Sequence, residues 1–254
     1  MDTFLQVGID AVKKAGEQIS KYYHGEVAVE MKENDTPVTI ADKEGERIIR
    51  EYILSVFPEH GFIGEEMGNT TLDSEYLWII DPIDATKNFI RHIPLWGTLL
   101  ALQKNGEIIL GISYMPEMNE LLHASVGNGA FLNGKPVHVS ETADIPSAFI
   151  AYGGVRQFVS DGLAEKLMDT IEKAHRDRGI GDLYNYHLLA TGRCDAVLEA
   201  RVAYWDIAPF LCIIPEAGGS VSDLHGEVME NKEVSTFLAS GSGVLHESIV
   251  QRFI

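Results

Sequence analysis

The sequence predicts an α/β (α+β) protein: helices first, then a mainly antiparallel sheet, then a second unit in which strands and helices alternate. Three observations carry that reading. Apolar residues recur at helical spacing near the N-terminus. They switch to short strand-like runs between residues 77 and 126, and the two patterns alternate after Ser140.

Phe4, Val7, Ala11, Val12, Ala15, Ile19 and Tyr22 form one helical stripe. A second helix follows Thr39, with Ile48, Ile49, Tyr52, Ile53 and Val56 toward the core and Pro58 past its end. Leu77–Asp81, Leu95–Leu102, Glu107–Met115 and Glu120–Val126 read as strands, with Asn105-Gly106 and Asn133-Gly134 as turn dipeptides. Strand follows strand without a long crossover, so the pairing is mainly antiparallel. Beyond Ser140, strands at Ala148–Tyr152 and Ala196–Glu199 alternate with helices near Gly162–Ala174, Leu183–Thr191 and Ile207–Glu216, the last closed by Gly218-Gly219. The change of pattern divides the chain into units 1–141 and 142–254.

The 254 residues suffice for a sizeable core, and 20 basic against 38 acidic residues leave a net charge of −18. That charge opposes a nucleic-acid or anionic-membrane surface. An acidic protein that handles an anionic substrate needs a local source of positive charge, and a bound divalent cation supplies one. Cys194 and Cys212 cannot build a disulfide framework and have no metal-type spacing, so they read as buried free thiols in a reducing compartment. Met1-Asp2-Thr3-Phe4 has no signal-peptide character, and no apolar run approaches the ~18 residues of a membrane span. A soluble cytoplasmic protein is expected.

The chemistry concentrates in Trp78-Ile79-Ile80-Asp81-Pro82-Ile83-Asp84-Ala85-Thr86-Lys87-Asn88-Phe89, where an apolar strand ends in two aspartates three residues apart. Carboxylates at the exit of a buried strand are costly unless paired or bound to metal, although a solvated Asp-Pro turn gives the same letters. Three further segments place acids at element ends: Phe62-Ile63-Gly64-Glu65-Glu66, Tyr204-Trp205-Asp206, and Asp35-Thr36-Pro37-Val38-Thr39-Ile40-Ala41-Asp42. Asp42 and Asp206 also fit as helix N-terminal caps. Hard cations such as Mg²⁺ take oxygen donors alone, which four acid clusters can provide.

These segments resemble the inositol monophosphatase family of Mg²⁺-dependent, Li⁺-sensitive phosphatases. Trp78–Phe89 matches the pattern W-I-x-D-P-[IL]-D-G-T-x-N-F at all but one position, and Trp205–Gly219 matches W-D-x-A-x(7)-E-A-G-G. The G-E-E and T-x-x-D elements match at Gly64–Glu66 and Thr39–Asp42. The resemblance implies a layered αβαβα sandwich with an antiparallel N-terminal sheet and a smaller mixed C-terminal sheet. It also implies a homodimer, and two or three Mg²⁺ per active site. Glu65, Asp81 and the Ile83 carbonyl would bind one ion, and Asp81, Asp84 and Asp206 a second. Glu66 and Asp42 would support the attacking water and a third ion. Thr86, held by Asp42, would orient or deprotonate that water, and the amides of Ala85 and Thr86 would cradle the phosphate. A binding protein that kept the fold and lost the chemistry should have lost an acidic ligand; Glu65, Asp81, Asp84 and Asp206 are all present.

Ala85 departs from the pattern's Gly, which is tolerable in a right-handed turn and strained in a left-handed one. In the segment expected to form the substrate pocket, Gly181-Asp182-Leu183-Tyr184-Asn185-Tyr186-His187-Leu188 is more similar to the family's histidinol-phosphate phosphatases than to its inositol-specific members. Glu199 matches the family's substrate-contacting glutamate. Asp182, Tyr184 and Glu199 are therefore substrate-pocket candidates, with ordinary helix packing as the alternative for Tyr184 and Tyr186. The expected substrate is histidinol phosphate; inositol 1-phosphate, fructose 1,6-bisphosphate and 3′-phosphoadenosine phosphates are the alternatives.

Overall fold

A computed structural model describes residues 2–25, 29–31, 37–227 and 235–254. In chain order, α1 (Asp2–Tyr23) is followed by a short antiparallel hairpin, β1 (Val29–Met31) and β2 (Pro37–Thr39), and by α2 (Ile40–Val56). Asp35 and Thr36 of the acid segment lie outside the described residues. The apolar stripes bury as their spacing requires: Ala11, Val12, Ala15, Ile19, Ile49 and Ile53 are inaccessible to solvent. Val56, expected in the core, is exposed, because the helix ends there and Phe57 takes the capping position.

Next come β3 (Gly61–Gly64), β4 (Gly68–Thr70), β5 (Tyr76–Asp84), a single helical turn α3 (Thr86–Phe89), β6 (Gly97–Lys104), β7 (Glu107–Met115), β8 (Glu120–Ser125), β9 (Ala130–Leu132) and β10 (Lys135–Val137). Among the described residues these strands form an eight-stranded sheet in the order β10-β9-β8-β7-β6-β5-β3-β4. All its pairings are antiparallel except β3 with β5. The second half holds β11 (Phe149–Tyr152), α4 (Val155–Ser160), α5 (Ala164–Lys173), β12 (Arg176–Arg178), α6 (Asp182–Ala190), β13 (Ala196–Val202), α7 (Tyr204–Ile207), α8 (Phe210–Glu216), β14 (Ser220–Ser222), β15 (Ser235–Ser240) and α9 (Gly243–Phe253). Its sheet runs β12-β11-β13-β15-β14, with β11 parallel to both neighbours and the remaining pairs antiparallel.

The layers follow from which face each strand buries. Val7, Ala15, Ile19 and Ile49 of α1 and α2 pack on Trp78, Ile80, Leu100 and Ile112 on one side of the large sheet. From its other side, Leu99, Met115 and Leu122 meet Tyr186 and Leu189 of α6 and Phe210 and Ile213 of α8. Those two helices also cover Val197, Phe237 and Ala239 of the small sheet. The opposite face of β13, through Ala196 and Leu198, packs with Leu167, Ile171, Leu245 and Phe253 of α5 and α9. The result is an αβαβα sandwich in which α6 and α8 join the two sheets.

Candidate active site

Two irregular strands bring the acids together. Along β5, Asp81 lies opposite Leu99 but Asp84 lies opposite Gly97, so the register shifts by one residue across Pro82 and Ile83. Residues three apart on a regular strand point to opposite faces; one extra residue returns them to the same face. Pro82 has no N–H to lose from the ladder, and its carbonyl accepts from the buried Thr98 hydroxyl at 2.9 Å. β13 carries a matching bulge: Glu199 faces Phe237 while Val202 faces Ser235, and Arg201 between them has φ 57°.

Asp81, Asp84 and Asp206 each offer a carboxylate oxygen, and the three oxygens lie within 4.8 Å of one another. The Glu65 carboxylate contacts Asp81. Asp81 Oδ1 accepts from the Ile83 amide at 3.0 Å, and Asp84 Oδ2 accepts from the Leu183 amide, at the start of α6, at 2.7 Å. Asp206 Oδ2 accepts from the Ala203 amide at 2.8 Å, so this residue caps α7 and joins the cluster at once. Burial and repulsion push Asp81 and Asp84 well above the usual carboxylate range. Glu65 is the foremost repelling charge on Asp81, and Asp182 on Asp84. A crowded all-oxygen donor set with mutual repulsion is the chemistry a hard divalent cation satisfies, so the residues fit Mg²⁺.

The cluster floors a cleft of 290 Å³ walled by Glu65, Ile83, Ala85, Thr86, Asp182 and Glu199, with Lys87, Gly154, Gln157 and Arg201 at the rim. Glu199 is 7% exposed and is raised well above its ordinary value by burial and then by Asp182. Asn185 Nδ2 donates to it at 3.3 Å. Gly153 has no room for a side chain, since a Cβ there would overlap the Glu199 carboxylate. Asp182 has φ 56° and keeps its side chain open to the cleft.

Nine expected site residues thus share one cleft: Glu65, Asp81, Ile83, Asp84, Ala85, Thr86, Asp182, Glu199 and Asp206. Others sit elsewhere. Asp42 is 1% exposed and accepts from the Thr39 amide and hydroxyl, at 2.7 and 2.6 Å, closing a capping box on α2. Burial, and to a lesser degree Glu65, raise Asp42 to about 6. Thr86 is not held by Asp42: its hydroxyl donates to the Ile83 carbonyl at 3.0 Å, because that oxygen lies one helical turn back from it. Glu66 does not line the cleft. Tyr184 packs against the core between the sheets, and Tyr186 stacks on Phe210 with centroids 4.2 Å apart; neither lines the cleft. The Ala85 turn is left-handed, φ 66° and ψ 43°, contrary to the right-handed turn that would have made alanine comfortable. Gln157 and Arg201 had no signal in the sequence, because a short helix and a one-residue bulge bring them to the rim.

The inositol monophosphatase family profile matches residues 1–253. A histidinol-phosphatase of Chlorobaculum parvum is 36% identical over 224 residues, covering 87% of this chain and 86% of that protein. An inositol-1-monophosphatase of Mesorhizobium japonicum is 34% identical, covering 98% of this chain and 93% of that protein. Among solved structures, the IMPase of Thermotoga maritima superposes with a TM-score of 0.89 at 33% identity, covering 99% of this chain and 96% of that one. Members of the family are generally Mg²⁺-dependent phosphatases, and the acidic cluster stands where such chemistry needs it. The chain belongs to the inositol monophosphatase family.

Proposed function

We propose that the protein hydrolyses histidinol phosphate, with two or three Mg²⁺ held by Glu65, Asp81, Asp84, Asp206 and the Ile83 carbonyl. A bound divalent cation supplies the positive charge and the acidified water that ester hydrolysis requires. The chain's own groups do the rest. Thr86 spends its hydroxyl proton on Ile83, which leaves oxygen lone pairs to accept a hydrogen from the attacking water and so orient it. Ala85 and Thr86 line the cleft, where their amides would cradle the phosphate. A cleft of 290 Å³ suits a small phosphorylated metabolite.

The observation that supports the amine-bearing ester is Glu199. It is a buried acid held by Asn185, with a second acid, Asp182, in the same wall and outside the three-aspartate cluster. Two carboxylates facing the leaving-group end favour a substrate that brings its own positive charge there. Inositol 1-phosphate, the ester named for the Mesorhizobium relative, offers hydroxyls alone. For histidinol phosphate, Glu199→Gln should cost about 1.5–3 kcal/mol in kcat/KM, the scale of a charge-assisted hydrogen bond. An uncharged polyol ester should lose less, since the amide still donates and accepts. Measuring kcat/KM for both esters in wild type and Glu199→Gln decides the matter. Equal losses, or a wild-type preference for inositol 1-phosphate, contradict the histidinol reading and leave the phosphatase assignment intact.

A further inference from the structure

Asp42, Glu46 and Arg50 stand at i, i+4 and i+8 on α2, a single row along the helix, and all three are buried. This row faces the turn from Gly64 to Gly68 that carries Glu65. Glu46 is fully buried, and its oxygens are spent on main-chain amides of the turn: Glu66 N at 2.8 Å and Met67 N at 3.3 Å. Arg50 Nε donates to Glu46 Oε1 at 2.8 Å, and its Nη2 donates to the Gly68 carbonyl. The guanidinium also lies over the Phe62 ring, 5.1 Å from its centroid. Gly64 is pressed against the pair so closely that a Cβ would overlap Glu46 Oε1 and Arg50 Nη2. On its other side the turn is tied to β5, where the Glu65 amide donates to the Ile80 carbonyl at 3.3 Å.

A buried carboxylate beside a site already crowded with acids is an expensive way to hold a loop. Any capped turn or apolar contact would serve stability as well, and buried ion pairs are weak evidence of stabilisation. What a charged, multiply bonded anchor adds is direction, because it sets the main-chain orientation on both sides of Glu65. We propose that Glu46 and Arg50 are positioning residues: their ion pair grips the 64–68 turn from α2 and aims the Glu65 carboxylate at Asp81. Neither lines the cleft, and the inference rests on the metal-dependent phosphatase reading above.

The test uses the full chain. Glu46→Gln alone leaves Arg50 buried without its partner and is expected to lower Tm. The paired variant Glu46→Gln/Arg50→Met removes both charges at similar volume and should recover much of that Tm. Arg50→Lys keeps the charge and loses the fork that reaches Gly68 and the stacking on Phe62, and its folding is checked by its Tm. Each folded variant is titrated with Mg²⁺ by calorimetry, and kcat and KM are measured at saturating Mg²⁺. Positioning predicts Mg²⁺ affinity about 10- to 100-fold weaker in the paired variant even with Tm restored, a lower kcat, little change in KM, and a smaller loss in Arg50→Lys. Wild-type Mg²⁺ affinity and kcat in the paired variant and in Arg50→Lys would reduce the ion pair to a structural one and overturn the proposal. Wild-type protein that binds no Mg²⁺ overturns the metal reading itself, and is a different outcome from a wild type that binds while the variants bind equally well.

Discussion

Ala85 carries the clearest residue-scale strain. A non-glycine residue in the left-handed region costs about 1.5 kcal/mol, and this one sits in the wall of the cleft. Ala85→Gly should therefore raise stability by about 0.5–1 kcal/mol, after subtracting the added freedom of the unfolded chain. In a chain of this size that corresponds to a Tm increase of about 1–4 °C in a thermal melt. A lower Tm would mean that the methyl contributes packing that outweighs its strain. The alanine was visible in the sequence, but the sign of φ was not: it depends on how α3 leaves β5. Asp206 and Asp42 were legible as helix caps, and the structure confirms that role for both. Capping and membership of the acid cluster are compatible at Asp206, because the helix N-terminus lies at the cleft floor.

At the scale of elements, the strands and helices with strong periodicity were readable, and their exits were not. β5 was expected to stop at Asp81, but it runs on to Asp84 through a bulge that alternation alone cannot anticipate. The same limit applies to β13, which was expected to end at Glu199 and continues to Val202. Short edge strands such as β4, β10 and β12, three residues each, have too few side chains to show a period. Tyr184 and Tyr186 do not line the cleft because α6 is sandwiched between two sheets, so most of its faces are core and its first turn meets the cleft through Asp182. One close approach gives an element-scale prediction. Gly153 follows β11 directly and abuts Glu199, so Gly153→Ala must push the β13 carboxylate aside. Overpacking of this kind costs about 1–3 kcal/mol of stability. Its effect on kcat/KM should mimic Glu199→Gln in direction, as steady-state kinetics on the same two esters would show. Unchanged kinetics would mean that Glu199 does not need its present position.

For the whole molecule, the acid cluster makes folding and metal binding depend on pH in opposite senses. A carboxyl whose folded pKa is raised contributes its stability below its unfolded pKa and loses it as pH rises through the folded value. For Asp42 that window runs from the ordinary 3.8 to about 6, and Asp81, Asp84 and Glu199 shift in the same direction for the same reason, burial. Metal-free protein should therefore lose Tm from pH 3.8 to about pH 6 as Asp42 ionises, and lose more as the other raised acids ionise at higher pH. Divalent cations need the deprotonated acids, so the Tm increment on adding Mg²⁺ should grow over the same interval. Calorimetric scans with chelator and with Mg²⁺ check both slopes; an increment that is flat or shrinks with pH would separate the cation from these carboxylates.

Asp81, Asp84 and Asp206 are proposed as the cation site on which phosphate-ester hydrolysis depends. The most direct measurement is phosphate release against Mg²⁺ concentration for wild type and Asp84→Asn, with folding of both verified by their melts. Wild type should show saturable activation by Mg²⁺ and background rates with chelator, and Asp84→Asn no turnover despite an equal or higher metal-free Tm, since one repelling charge has gone. Chelator-insensitive hydrolysis by the wild type, or full Mg²⁺-dependent turnover by Asp84→Asn, would contradict that proposal.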